Sequence, residues 1–330
     1  MLVSVLDQSP IIEGFSAKDA IHETVNLAHV AEKLGFHRFW LAEHHNMKGL
    51  ACPCPEILLS AIGCKTRKIR IGSGGVLLPY YQALKVGETF KMLEALFPER
   101  VDLGIGRAPG GDRLAAMALN PHAFANPDSF PSQVLQTVSW VRGEDSDTTL
   151  AQTVTAMPTS DTAPEVWLLG SSNYSSTLAS QLGLRFAFAH FISTTEGQNA
   201  SKFYRRNFKK NSYEEKPYNM VCVSVICANT SDEARYLAGP ISHRRLQMAK
   251  GKENVIQSTK TAGLNCYSDE DRVIMESNLD RSIIGDPNFI KCRLLQIKDD
   301  FEADELMILT ITGDYQSRIK SYELIAKVFN

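Results

Sequence analysis

No apolar run in these 330 residues reaches the roughly 18 positions that a bilayer-spanning helix needs, so the sequence offers no membrane span. A basic leader ahead of an apolar stretch is also missing, since Asp7 and Glu13 occupy the amino terminus, and no cleaved signal peptide is expected. There is no charge excess of either sign. The 35 Lys and Arg against 37 Asp and Glu exclude a general attraction for nucleic acid or an anionic membrane. Short basic runs such as Lys65-Thr66-Arg67-Lys68 and Arg205-Arg206 read as solvated faces. Cysteine is scattered and odd in number, seven in all, which fits reduced thiols and a cytoplasmic setting better than a disulfide framework. The one close pair, Cys52 and Cys54, lacks the second Cys or His pair of a structural zinc site. It reads as a loop leading to Pro55 at a helix start.

Against these absences stands ample core material. Hydrophobic residues make up 44% and charged residues 22%, typical of a soluble globular chain that folds without staples. Strand and helix patterns alternate through short connections. A strand over 2–6 is followed by a helix over 17–34, capped by Ser16 and closed by Gly35. Further strands fall at 39–42, 69–75, 101–106, 166–169, 185–190, 218–228 and 306–311. The helices between and after them fall at 55–65, 83–97, 131–141, 172–182, 196–208, a long one capped by Ser231, one capped by Asp286 with Pro287 in its first turn, and 315–329. About eight βα units with a parallel sheet predict a single-domain (β/α)8 TIM barrel spanning 1–330. Three polar stretches, 107–130, 143–164 and 251–284, read as insertions at the carboxyl face of the strands, the second mobile. The third suits either an active-site lid or plain surface helices.

In such a barrel the functional groups lie at the carboxyl ends of strands. Phe39-Trp40-Leu41-Ala42-Glu43-His44-His45 is an apolar run that stops in an acid and two imidazoles. Neighbouring strand side chains face opposite ways, so one histidine is expected to face inward. His44 is the candidate, as a proton-transfer group near neutral pH. Gly74 and Gly75 provide bare backbone at another strand end, for a flat ligand or for a tight bend. Arg107 follows the strand 101–106, where an obligate cation suits a phosphate or carboxylate, or else an ion pair with Asp112 or Glu43. Gly170-Ser171-Ser172-Asn173-Tyr174-Ser175 leads from strand to helix. Its amides and hydroxyls suit an anion, and Ser172 also suits a simple helix cap. With Arg107 at a neighbouring mouth, a phosphate is the better reading. Gly104-Ile105-Gly106 lacks the spacing of a dinucleotide fingerprint. Neither paired metal-binding imidazoles near the first strand nor a strand-end lysine for Schiff-base chemistry is present, so no metal site is expected.

Taken together, Ser4-Val5-Leu6-Asp7-Gln8-Ser9-Pro10, Leu41-Ala42-Glu43-His44-His45-Asn46, Ile71-Gly72-Ser73-Gly74-Gly75-Val76-Leu77-Leu78-Pro79, Gly104-Ile105-Gly106-Arg107-Ala108-Pro109-Gly110-Gly111, Leu169-Gly170-Ser171-Ser172 and Asp304-Glu305-Leu306-Met307 resemble the bacterial luciferase-like flavin monooxygenases across essentially the whole chain. The resemblance implies a (β/α)8 barrel that binds FMN at the strand mouths, with His44 as the catalytic imidazole. It also implies a non-prolyl cis peptide at Gly74-Gly75 behind the flavin ring. Arg107, Ser172 and Ser175 match positions that hold the flavin phosphate, with Ser171 beside them. Reduced FMN, supplied by a separate NAD(P)H-dependent flavin reductase, would react with O2 to a flavin peroxide that oxidises an aldehyde or similar small organic substrate. Gly106 stands where the luciferases carry a reactive cysteine, and Ser171 where they carry an acid, so a monooxygenase without light emission is expected. The helices 55–65 and 83–97 match the family's dimer face, which implies a homodimer. A deazaflavin-dependent oxidoreductase and a non-catalytic flavin-binding protein are the competing readings.

Overall fold

The structure, a computed structural model, describes residues 1–126, 128–143, 153–252, 255–278 and 281–329. Ten strands lie among the described residues: β1 (Leu2–Asp7), β2 (Arg38–Leu41), β3 (Arg70–Ser73), β4 (Val76–Leu77), β5 (Val101–Gly106), β6 (Glu165–Gly170), β7 (Arg185–Ala189), β8 (Asn219–Cys227), β9 (Ser282–Gly285) and β10 (Glu305–Leu309). Eight of them close a parallel barrel in the order β1, β2, β3, β5, β6, β7, β8, β10, with β10 paired to both β8 and β1. The (β/α)8 expectation from alternating strand and helix patterns is therefore met.

β4 and β9 are additions. The reading of one strand over 69–75 is corrected: pairing stops at Ser73, and after Gly74 and Gly75 the chain resumes as β4 beside the end of β5, Val76 opposite Ile105. β9 runs beside Ser224–Cys227 of β8, while β10 takes β8 from Met220 to Ser224.

The strands are apolar on both faces because helices cover one face and barrel-filling side chains cover the other. Phe39, Leu306 and Ile308 face the outer layer, packed with helix residues such as Leu27, Leu59, Phe90 and Leu294. Their strand neighbours Trp40, Met307 and Leu309 face inward with Leu6, Trp167, Met220 and Cys222, as the period of two dictates. Trp40 and Trp167 meet edge to face at 5.2 Å.

Below these rings the amino-terminal end of the barrel is closed by charge. Arg38 is buried and reaches Asp102 at 2.9 Å, Glu165 at 2.8 Å and Glu305 at 3.1 Å. Asp102 also receives Arg70 at 2.7 Å and the Trp40 indole N–H at 2.8 Å, and Ser4 donates to Glu305. Burial alone would raise the Asp102 pKa, but the Arg38 and Arg70 guanidiniums outweigh it and hold the carboxyl below its ordinary range.

Helix ends follow local chemistry. Ser16 and Asp19 form a capping box at the helix Ala17–Lys33, and Asp286 accepts from the Asn288 and Phe289 amides. The helix after β8 departs from expectation in two ways. Its cap is Thr230, not Ser231, and it breaks into Ser231–Leu237 and Gly239–Ala249, the second opening on Gly239-Pro240. The stretch 251–284 is ordered where described, as helices Thr259–Gly263 and Asp269–Ser277 plus β9. Its Ile256 is buried and bridges to Ile12 beyond β1. Residues 144–152, part of the stretch 143–164 read as a mobile excursion, lie outside the described residues, as do 127, 253–254, 279–280 and 330. All seven cysteines are free, and among the described residues no helix is long and apolar enough to cross a membrane.

Candidate active site at the strand mouths

One cavity of about 280 Å³ opens at the carboxyl ends of the strands, and all seven residues singled out in the sequence line it: His44, Gly74, Gly75, Arg107, Ser171, Ser172 and Ser175. Apolar walls come from Leu6, Trp40, Leu169, Phe188, Phe191 and Met307.

His44 enters the cavity for a reason other than strand alternation. β2 ends at Leu41, so pleating no longer governs residues 44 and 45. The chain is held instead by the His44 amide donating to Cys52 O at 3.0 Å and the His45 amide donating to Gly110 O at 2.9 Å. The His45 ring is taken by Glu43, 2.7 Å from Nε2. Glu43 is buried and anchors three groups at once, accepting also from the Leu77 amide at 2.9 Å and the Tyr81 hydroxyl at 2.6 Å. This ties the segment carrying His44 to the segment just after Gly75. His44 Nδ1 is enclosed and has no hydrogen-bond partner. Burial, with a smaller push from the Arg244 charge, lowers the imidazole pKa to about 4, so the ring is neutral at physiological pH.

The Gly74–Gly75 peptide is cis, as the resemblance implies. Both glycines are closely approached by the barrel wall, Gly75 by backbone. A Cβ on Gly74 would lie 2.7 Å from Leu6 Cδ1, and one on Gly75 would lie 2.7 Å from the Gly104 carbonyl oxygen.

At the other side of the mouth, Arg107 is exposed and its guanidinium lies over the Tyr174 ring, 4.0 Å from the centroid. The ion pair with Asp112 or Glu43 does not form. Asp112 caps the helix Arg113–Leu119 through the Ala115 amide at 2.8 Å and accepts from Asn46, and Glu43 is filled as described. Ser172 occupies the cap position of the helix Asn173–Leu182, yet its side chain makes no capping bond. The first amides of that helix and the hydroxyls of Ser171, Ser172 and Ser175 are therefore left to face an anion together with Arg107. Gly170 is required here because a side chain on it would strike Ser175.

The residue types fit FMN. A cationic and hydroxyl-rich pole suits a phosphate, a planar peptide with apolar walls suits a flat ring, and an enclosed imidazole faces the same space.

A model of the luciferase-like monooxygenase family matches residues 2–299. The chain belongs to this family. It is therefore an oxidoreductase of the kind that incorporates molecular oxygen. It is 37% identical over 325 residues to a luciferase-like monooxygenase of Escherichia coli K12, covering 98% of this chain and 96% of that one. The crystal structure of apo-MsnO8 superposes with a TM-score of 0.92 at 33% identity, over 99% of this chain and 98% of the other. The oxygenating constituent of 3,6-diketocamphane monooxygenase from Pseudomonas putida, a type II Baeyer-Villiger monooxygenase solved in complex with FMN, shares the fold. Its TM-score is 0.71 at 19% identity, over 99% of this chain and 97% of that one.

Sequence reasoning missed several lining residues. Phe188, Phe191 and Ile192 sit at and beyond the end of β7, where the apolar run 185–190 was the available signal.

Proposed function

We propose that this family member is an FMN-dependent monooxygenase that uses reduced FMN and O2 to oxidise a small organic molecule such as an aldehyde. The observation that carries the reading is the meeting, in one cavity, of four features: an arginine without an acidic partner among the described residues, an uncapped helix start, the planar diglycine and a neutral imidazole. Bound reduced FMN supplies the electrons that activate O2, one atom of which goes to the substrate. Arg107, Ser171, Ser172 and Ser175 bind the phosphate, and Gly74 and Gly75 present flat backbone to the ring. Leu6, Trp40, Leu169, Phe188 and Phe191 exclude water from the reacting centre. His44, neutral at working pH, holds or accepts a proton at Nδ1. Reduction of FMN is assigned to a separate NAD(P)H-dependent reductase. Two neighbouring helices, Pro55–Lys65 and Ala83–Leu96, expose Ile57, Met92 and Leu96, which supports a homodimer through that face.

The test compares FMN with riboflavin, which lacks the phosphate, by flavin fluorescence titration. Arg107→Met should weaken FMN by about 10- to 100-fold, the worth of a charge-assisted hydrogen bond, and leave riboflavin unchanged. Equal losses for the two ligands would refute the phosphate assignment. His44→Ala should spare FMN binding and depress aldehyde-dependent oxygen consumption. Reduced deazaflavin binding in preference to reduced FMN would favour the hydride-transfer reading, and tight FMN binding without any effect on oxygen consumption would favour a flavin store.

A further inference from the structure

One polar side chain in the cavity wall has no part in the reading above. Gln8 follows β1, is 7% exposed and lines the cavity, and among the described residues its side-chain amide makes no hydrogen bond. Its place is fixed from both sides. Asp7 Oδ1 accepts from the Ser9 amide at 2.7 Å and from the Arg318 guanidinium at 2.6 Å, and the Ser9 hydroxyl accepts from Thr24 at 3.0 Å. The Ser9 carbonyl accepts from the Ala51 amide and the Pro10 carbonyl from the Tyr315 hydroxyl, each at 2.9 Å. The neighbours of Gln8 are thus tied to the protein while its own amide is left to the cavity. Burying an amide without partners is unfavourable, so a side chain held in this way fits a ligand that brings the partners.

Strand register indicates which part of a ligand meets it. Leu6 pairs with Trp40, and the Asp7 carbonyl accepts from the Ala42 amide, so the parallel ladder continues past β1 and Gln8 stands one layer above Leu6 on the same inward face. Leu6 is the side chain that abuts Gly74. Around the barrel the order β1, β2, β3, β5, β6 runs from Gln8 through His44 and the Gly74-Gly75 segment to Arg107 and the serine-rich turn. β1 and β6 are four strands apart in a ring of eight, so Gln8 stands across the mouth from the anion pole. A flavin held there by its phosphate has its ring on the side away from that pole, and only one end of the ring is polar. The dimethylbenzene end offers no hydrogen bond. The pyrimidinedione end offers an imide N–H between two carbonyl oxygens, which a primary amide matches with one acceptor and one donor.

We propose that Gln8 binds the pyrimidinedione edge of the flavin, its carbonyl accepting from the imide N–H and its amide donating to an adjacent carbonyl oxygen, and thereby sets which end of the ring points to β1. The proposal rests on the flavin reading of the cavity.

The test is fluorescence titration of the full-length protein with FMN, riboflavin and N3-methylriboflavin, in which the imide N–H is blocked. The wild type should bind riboflavin more tightly than N3-methylriboflavin by about 5- to 30-fold, as one or two neutral hydrogen bonds contribute. Gln8→Leu should erase that difference and weaken FMN and riboflavin by the same factor, in contrast to the FMN-only loss expected for Arg107→Met. Without ligand it should melt no lower than the wild type, since the amide it removes has no partner among the described residues. The proposal is overturned by a wild type that does not distinguish riboflavin from N3-methylriboflavin, which needs no variant, or by a difference that survives Gln8→Leu. A lower melting temperature in Gln8→Leu would overturn it by making Gln8 a structural residue. Unchanged flavin affinities in Gln8→Leu with a raised KM for an aldehyde would overturn it by assigning Gln8 to the substrate. A wild type that binds none of the three flavins would sink the flavin reading itself, whereas loss of the Gln8 effect with Arg107→Met still weakening FMN would sink this proposal alone.

Discussion

Replacement of His44 by a residue that does not titrate should change how stability depends on pH. The folded imidazole has a pKa of about 4 against 6.5 for an ordinary histidine, chiefly through burial and secondarily through Arg244. Between those two values the unfolded chain holds the extra proton and the folded chain does not. Stability is therefore complete above pH 6.5 and declines as pH falls through 6.5 toward 4. At 1.36 kcal/mol for each tenfold in proton affinity, the full decline attributable to this ring is about 3 kcal/mol. His37, His190 and His243 also have lowered pKa values, mainly through burial, and contribute the same sign, so the comparison must be between wild type and variant. Urea unfolding at intervals from pH 7.5 to 4.5 should show a markedly flatter dependence in His44→Gln, the difference growing as pH falls. The imidazole Cε1 proton, followed by NMR, should titrate with a midpoint well below 6.5, and Arg244→Met should move that midpoint upward. A wild-type midpoint near 6.5, or parallel stability curves for the two proteins, would refute the description of His44 as an enclosed neutral ring.

Asp102→Asn should destabilise the barrel by about 3 to 5 kcal/mol, because Arg38 and Arg70 lose their shared counter-ion in a buried setting; chemical denaturation measures it, and a loss under about 1 kcal/mol would contradict the account. Ser172→Ala should leave stability unchanged, whereas a working Ser cap would cost about 1 kcal/mol, since Ser172 makes no capping bond. The same variant should weaken FMN in the fluorescence titration. Ile57→Glu should shift a dimer toward single chains in analytical ultracentrifugation, and a wild-type mass of one chain would remove the dimer proposal.

The barrel was legible because its signal is distributed. Buried strands such as Val101–Gly106 and Asn219–Cys227 are apolar over most of their length, and each is punctuated by a capped helix. Strand-end position led equally directly to His44, Arg107 and the serine-rich turn at 171–175. The reasons behind those positions were less accessible. His44 faces inward because Glu43 captures His45, an arrangement that depends on Tyr81 and Leu77 more than 30 residues away. At the helix after β8 the ambiguity is local, because Thr230 and Ser231 are adjacent cap formers and only the backbone course decides between them. The break of β3 at Ser73 comes where Gly74 and Gly75 carry the chain over to β4 beside β5, a tertiary pairing that strand propensity does not encode. The burial of Arg244 was invisible because it is tertiary, created by the packing of its helix against the helices Ser231–Leu237, Thr259–Gly263 and Asp269–Ser277.

The ionic seal around Arg38 has a consequence for traffic. With Arg38, Asp102 and Glu305 buried beneath Trp40 and Trp167, the chamber above them is closed at its floor and opens at the strand mouths. Two guests sharing such a chamber must queue, and whichever settles deeper has to arrive first and depart last.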